Sequence, residues 1–218
     1  MNTLLKIKKS FKPTISIAAA QKIGAVNSEL ETLICELIDN PIPNDKPKTP
    51  VRVDVWLNYD DDNSFIQILD NSIGIPEHSI VEAFNYSGSA NIGKLRLSRM
   101  GMGMKMVLFS LGEMDYIITK TKSNKPYIVR IANYTNRTEE LEYTIEEYKG
   151  NEFPTYESGT LIRIKNCSEM LKNWTSKEHF NSFCSKIECT YPQLLNEYLN
   201  ITIRYTKTKG QLWEHDCV

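Results

Sequence analysis

The strongest periodicity in the chain lies between Leu30 and Ile38. Leu30, Leu33, Ile34, Leu37 and Ile38 recur at three- and four-residue spacing, the apolar stripe of an amphipathic helix. Ser28-Glu29-Leu30-Glu31 has the form of a capping box, and Pro41 and Pro43 end the helix and open a Pro/Asn/Asp/Lys loop over 41–50. The period then changes to two. Val51, Val53, Val55 and Leu57 alternate with Arg52, Asp54, Trp56 and Asn58, which predicts a strand. The polar run Asp60–Ser64 turns the chain into a short apolar strand, Phe65–Leu69, ending at Asp70. Pro76 precedes a helix using Ile80, Val81 and Phe84, and 85–100, rich in Ser, Gly, Asn and basic residues, reads as a mobile loop. Another helix runs from near Gly101 through Leu111, with Gly112 placed to cap it.

Strands follow at 115–122 and 127–133, joined by Ser-Asn-Lys-Pro. Leu141, Tyr143 and Ile145 alternate with Glu140, Glu142 and Glu146, which predicts a half-exposed strand whose acids form a solvated face. Thr160–Lys165 is a further strand. Thr175-x-x-Glu178 reads as a second capping box, ahead of a stripe of Phe180, Phe183, Cys184 and Ile187. These elements predict an α+β fold with a mixed or antiparallel sheet and helices on one face.

Composition narrows the class. With 218 residues, 41% hydrophobic, 24% charged and a net charge of −1, the chain is of ordinary globular type, which excludes disorder, collagen-like repeats and a disulfide miniprotein. A chain this long buries roughly 70% of its unfolded surface, enough for one core. We expect one domain over 28–218 and an N-terminal segment over 1–27. Lys6, Lys8, Lys9 and Lys12 make that segment's start a solvated tail or a docking arm for an acidic partner. The longest apolar run near the N-terminus, Ile15 to Ala20, is broken by Ser16 and falls far short of the ~18 residues of a membrane span. With no signal peptide visible, the expectation is a cytoplasmic protein without a membrane partner. The five cysteines are odd in number with no C-x-x-C pair, and the three histidines are far apart, so neither a disulfide framework nor a zinc site is suggested.

Four local signals carry candidate chemistry. Glu36 and Asn40 stand one turn apart, beside the apolar stripe of the first helix. That is either a base plus a metal or ligand contact or a solvent-exposed helix end. Asp70-Asn71-Ser72-Ile73-Gly74 ends an apolar strand. The acid could accept a hydrogen bond from an amino group and Gly74 permits close backbone approach, although an Asx-turn explains the segment equally well. Gly101-Met102-Gly103-Met104-Lys105 feeds a glycine-rich loop into a helix N-terminus, an anion site to which Lys105 adds charge. It is not a P-loop, and it lacks the third glycine of a dinucleotide fingerprint. Ser158-Gly159-Thr160, alone, is a turn and a strand.

In this order, the four segments resemble the GHKL ATPase superfamily of gyrase B subunits, MutL, MORC proteins, ninety-kilodalton heat-shock chaperones and sensor histidine kinases. Glu36-x-x-x-Asn40 resembles its N box, Asp70–Gly74 its first glycine box, Gly101–Lys105 its second, and Gly159-Thr160 its late glycine-threonine element. Glu36-Leu37-Ile38-Asp39-Asn40 and Gly-x-Gly-x-Lys are closest to the MORC and chaperone branch. The resemblance implies the Bergerat fold, a two-layer sandwich with a mostly antiparallel sheet, holding ATP and Mg²⁺ between helices and a lid. It implies Glu36 as general base and Asn40 as Mg²⁺ ligand, with Asp39 supporting them. Asp70 would accept the adenine amino group, helped by Gly74 and Thr160, and Arg99, Gly101, Met102, Gly103, Met104 and Lys105 would cradle the phosphates under a lid at 85–100. Two departures stand out. Ser72 replaces the family's first glycine, and Pro41-Ile42-Pro43 replaces the usual continuation of the N box.

The function implied is slow ATP hydrolysis whose lid closure drives conformational change or dimerisation. The partners implied are a second copy or another protein, and nucleic acid by family analogy only. Members usually append a transducer domain supplying a further catalytic lysine. The sequence ends at Val218, hardly beyond the nucleotide domain, so it is expected to be a piece of a longer protein or a module that needs a partner. Two other readings use the same fold. One is a non-catalytic ATP sensor, against which Glu36 argues. The other is a histidine kinase, which needs a phospho-accepting histidine on a helical hairpin, whereas the first histidine is His78, inside the nucleotide region.

Overall fold

The computed structural model describes residues 9–11, 29–60, 62–80, 107, 110–131, 142–151, 153–154, 156–167, 171, 176–207 and 210–218. The strands among them are β1 (Lys9–Phe11), β2 (Val51–Tyr59), β3 (Phe65–Asp70), β4 (Glu113–Lys120), β5 (Tyr127–Ile131), β6 (Tyr143–Glu147), β7 (Gly159–Lys165), β8 (Leu199–Lys207) and β9 (Gln211–Cys217). They form one sheet in the order β1-β6-β5-β4-β7-β3-β2-β8-β9. Every neighbouring pair is antiparallel except β2–β8, which is parallel.

Among the described residues, helices α1 (Leu30–Ile38), α2 (Lys177–Thr190) and α3 (Pro192–Glu197) accompany the sheet. The stripe Leu30, Leu33, Ile34, Leu37 and Ile38 is buried as its spacing predicts, and Phe180, Phe183, Cys184 and Ile187 are buried on α2. Both stripes join Val51, Val53, Val55 and Leu57 of β2 and Ile201, Ile203 and Tyr205 of β8 in one core. Each such side chain contributes roughly 1.5–3 kcal/mol by leaving water. The alternate residues of β2 and β8 face away from this core, where Arg204 pairs with Asp54 at 3.5 Å and with Glu214 at 2.7 Å. The α+β expectation, with a mixed, mostly antiparallel sheet, holds.

Several local expectations are corrected. Ser28 of the first capping box lies outside the described residues. Helix α1 starts at Leu30 with Glu29, rather than Ser28, at the N-cap and no side-chain cap bond, and Glu29 and Glu31 both bind Lys186 of α2, at 3.2 and 2.9 Å. The second cap is Ser176 rather than Thr175. Ser176 takes the extended backbone that a cap needs, and its Oγ accepts from His179 N at 3.4 Å. After Pro76 a 3₁₀ turn, Glu77–Ser79, comes first, and Ile80 follows in helical geometry. Strand β4 begins at Glu113 and ends at Lys120, earlier than expected.

Glu146 is not on a solvated face but buried. It stands opposite Ile128 in register, and Ile128 belongs to a second apolar cluster with Tyr116, Ile118 and Leu161. Lys9–Phe11 is not a free tail, since it pairs with β6 as an edge strand. The C-terminal strands β8 and β9 and helix α3 were not anticipated, although Leu199, Ile201, Ile203 and Tyr205 carry the same period-two signal as β2. The expected lid at 85–100 lies outside the described residues.

Candidate functional site

Register brings three side chains together at one end of the central strands. Asp70 is the last residue of β3, directly after the Leu69–Leu161 pair, and Thr160 precedes Leu161 on β7. Thr119 of β4 stands opposite Thr160. Strand alternation puts Asp70 on the side of Ile66 and Ile68, and Thr119 and Thr160 on the side of Ile117 and Ile162, all facing the main core under the helices.

All three are buried. The Asp70 carboxylate accepts from Ser72 N at 2.8 Å and from the Thr160 N–H. Burial pushes its pKa up to about 7, with those two N–H groups pulling the other way. They occupy two of roughly four lone-pair positions on a carboxylate, so the group retains acceptor capacity. Thr119 Oγ1 accepts from Ile75 N at 2.8 Å and lies 3.1 Å from both Gly159 O and Thr160 Oγ1. The hydroxyl of Tyr127 donates to Ile75 O at 2.8 Å. The turn after Asp70 is thereby tied to three strands.

Two glycines make the approach possible. Gly74 has φ +70°, and a Cβ there would lie 2.0 Å from Lys120 O. Gly159 has φ +150°, and its Cβ would lie 2.1 Å from the carbonyl of Asp70. Backbone strain and overpacking each cost about 1–3 kcal/mol. Gly159→Ala is therefore expected to lose roughly 2–6 kcal/mol of stability. The midpoint of urea unfolding measures it, and an unchanged midpoint contradicts the close packing of Gly159 on Asp70.

The second part of the site is the C-terminal end of α1. Asn40 Nδ2 donates to the backbone carbonyl of Glu36 at 3.1 Å. That bond fixes the amide's orientation, and among the described residues no protein group donates to its oxygen. The Glu36 carboxyl is half-buried. Desolvation raises its pKa above the ordinary glutamate value, and the charge of Asp39 adds to the shift. Asp39 itself is raised by burial and lowered by the Tyr191 hydroxyl, which lies 2.8 Å from its Oδ1 and 3.1 Å from Cys35 O. Tyr191, at the elbow between α2 and α3, thus props the end of α1.

The two parts touch through residues that depart from the family pattern. Ser72 Oγ donates to Pro41 O at 2.8 Å. The serine that replaces a glycine therefore bonds the residue that interrupts the N box, and this bond fixes the Asp70 turn against the end of α1. Sequence reading places Glu36, Asn40, Asp70, Gly74 and Thr160, and the structure gathers them into these two joined clusters. Arg99, Gly101, Met102, Gly103, Met104 and Lys105 lie outside the described residues. Thr119, Tyr127 and Tyr191 were not anticipated. A threonine inside the apolar run of β4 is the one signal that could have pointed to Thr119.

The architecture, a mixed and mostly antiparallel sheet with helices, agrees with the Bergerat fold. Residues 28–160, more than half of the chain, match the family of histidine kinase-, DNA gyrase B-, and HSP90-like ATPases. The chain belongs to this family and is a GHKL-type ATPase domain. Family membership implies ATP as ligand, with Mg²⁺. A comparison with curated proteins returned no match. Among the described residues no helix is long and apolar enough to cross a membrane.

Proposed function

We propose that this domain, over 28–218, binds Mg²⁺ and ATP and hydrolyses the nucleotide slowly, with lid closure coupled to conformational change or dimerisation. The observation that supports the reading is the buried Asp70 carboxylate, which accepts from Ser72 N and Thr160 N–H and keeps acceptor capacity, in a turn that Gly74 and Gly159 allow to pack closely on the neighbouring strands. An adenine ring presents an amino group, and Asp70 is an acceptor with capacity to spare. Glu36 is the general base. Its raised pKa brings it closer to the working pH, which suits a group that must take a proton from water.

Asn40 is the side chain that holds Mg²⁺. Its amide oxygen is a hard donor of the kind the ion prefers, and Mg²⁺ usually keeps one or two protein ligands beside phosphates and water. When bound, the ion neutralises phosphate charge. Arg99 and Gly101–Lys105 are the phosphate-binding segment by family pattern. The Glu36–Asn40 and Gly-x-Gly-x-Lys sequences favour the MORC and chaperone branch. A second copy of the chain or another protein is the partner, with nucleic acid by analogy only.

Single-turnover hydrolysis with protein in excess over ATP tests the reading, and phosphate release must require Mg²⁺. Chelation is expected to weaken ATP binding roughly tenfold or more, the size of one contact to a charged group. Asn40→Ala is expected to bind ATP with little response to added Mg²⁺. Wild-type protein that binds ATP equally well in EDTA contradicts the assignment of Asn40.

A further inference from the structure

Helix α2 and strand β9 meet on the core side of the sheet, far along the chain from the family's motifs. Trp213 fixes the contact, stacked on Tyr205 at 5.2 Å and tilted against Phe180 at 5.8 Å. Period two along β9 then puts His215 and Cys217 on the same side as Trp213, opposite Ile203 and Ile201 of β8. From α2, Glu188 reaches the same place. His215 Nε2 lies 2.8 Å from Glu188 Oε1, and the ligand atoms of Glu188, His215 and Cys217 all lie within 4.8 Å of one another.

We propose that Glu188, His215 and Cys217 form a binding site for a borderline-soft divalent cation, Zn²⁺ by its ligand chemistry, joining β9 to α2. A hydrogen bond accounts for Glu188 and His215 alone; it does not account for a thiol converging on the same point. Oxygen, nitrogen and sulfur together are a donor set that zinc accepts and Mg²⁺ refuses. In a tetrahedral zinc site with bonds of 2.0–2.3 Å, neighbouring ligand atoms stand about 3.4–3.7 Å apart. The three ligand atoms, all within 4.8 Å of one another, are close enough for one ion to reach them together. Cys217 is buried, whereas the side chains of His215 and Glu188 are 36% and 25% exposed, which leaves a route from solvent and room for a water as fourth ligand.

Burial, and then Cys184, Glu188 and Asp216, push the Cys217 thiol up to about 12. The metal-free thiol therefore keeps its proton, and binding releases it to solvent as the sulfur–metal bond forms. The role is structural. Glu188 O accepts from Tyr191 N at 3.2 Å, and Tyr191 is the residue that props Asp39. The inference is independent of any nucleotide chemistry.

Cobalt titration of the nucleotide-free chain tests it, with Co²⁺ as the probe. One equivalent is expected to produce a sulfur-to-cobalt charge-transfer band and the visible bands of four-coordinate cobalt. Cys217→Ser abolishes the charge-transfer band. His215→Gln and Glu188→Gln each weaken cobalt binding at least tenfold. Cys189→Ser, which removes the neighbouring exposed thiol, leaves the band unchanged. Zn²⁺ raises the melting temperature of the wild type but not of His215→Gln, a readout that stands even if Cys217→Ser fails to fold. No band at stoichiometric cobalt, a band that survives Cys217→Ser, or equal stabilisation by Zn²⁺ of wild type and His215→Gln overturns the site.

Discussion

Glu36→Ala binds ATP as the wild type does and releases phosphate roughly 10²–10⁴-fold more slowly, the loss typical of a positioned general base. The split between binding and rate follows from where the carboxyl stands. Glu36 lies one turn before Asn40, whose amide it helps to orient only through its backbone carbonyl, 3.1 Å away. Alanine keeps that carbonyl and with it the orientation of the Asn40 amide, while the proposed proton acceptor is lost. The interaction removed is one made in the transition state, which lowers the rate without weakening ground-state binding. Because burial and Asp39 raise the Glu36 pKa, the acid limb of the wild-type single-turnover rate lies above the ordinary glutamate value. The variant lacks that limb. Equal phosphate release from variant and wild type removes Glu36 from the role of base. Absence of release from both, in protein carrying any transducer domain, selects a non-catalytic ATP sensor.

The residues that were legible in the sequence are those whose job is local. The stripe of α1, the alternation of β2 and the Asp70–Gly74 turn each declare themselves within about ten positions, because helix and strand periods are local properties. Glu36 and Asn40 read as one turn apart for the same reason; α1 ends at Ile38, and Asn40, in the turn beyond it, reaches back to the Glu36 carbonyl. What was not legible depends on partners distant in sequence. Glu29, not Ser28, stands at the N-cap of α1, and Lys186 on another helix binds both Glu29 and Glu31. Glu146 matched a solvated face until a cluster from β4, β5 and β7 covered it. Thr119 acquires meaning only from the β4–β7 register, and Tyr191 only from the packing of the α2–α3 elbow on α1. The two departures from the family pattern look like separate defects along the chain. In space they are donor and acceptor of one hydrogen bond, Ser72 to Pro41, which ties the turn after Asp70 to the end of α1. The same logic hid Glu188, His215 and Cys217, which a helix and a strand bring together from opposite ends of the C-terminal region.

Asp70→Asn is expected to lose one to two decades of ATP affinity and to lose preference for ATP over GTP. The wild-type carboxylate is buried and, when ionised, only accepts hydrogen bonds, so it matches the adenine amino group and repels the carbonyl that guanine presents there. Removing one buried charge-assisted bond costs roughly 1.5–3 kcal/mol, and the asparagine amide can turn a donor toward the base instead. Protonation should mimic the substitution. With a folded-state pKa of about 7 against an ordinary 3.8, the native state holds the extra proton between those values. The stability contributed by this group is therefore full below pH 3.8 and lost as pH rises to about 7, while its acceptor function has the opposite sign. Affinity for adenosine, which carries no phosphate to titrate alongside, is expected to rise as pH increases through about 7 and to level off above it. Asp70→Asn flattens both trends. Calorimetry across that window measures the affinities and thermal unfolding the stabilities. Equal wild-type affinity for ATP and GTP, or a pH response that survives in Asp70→Asn, contradicts the adenine assignment.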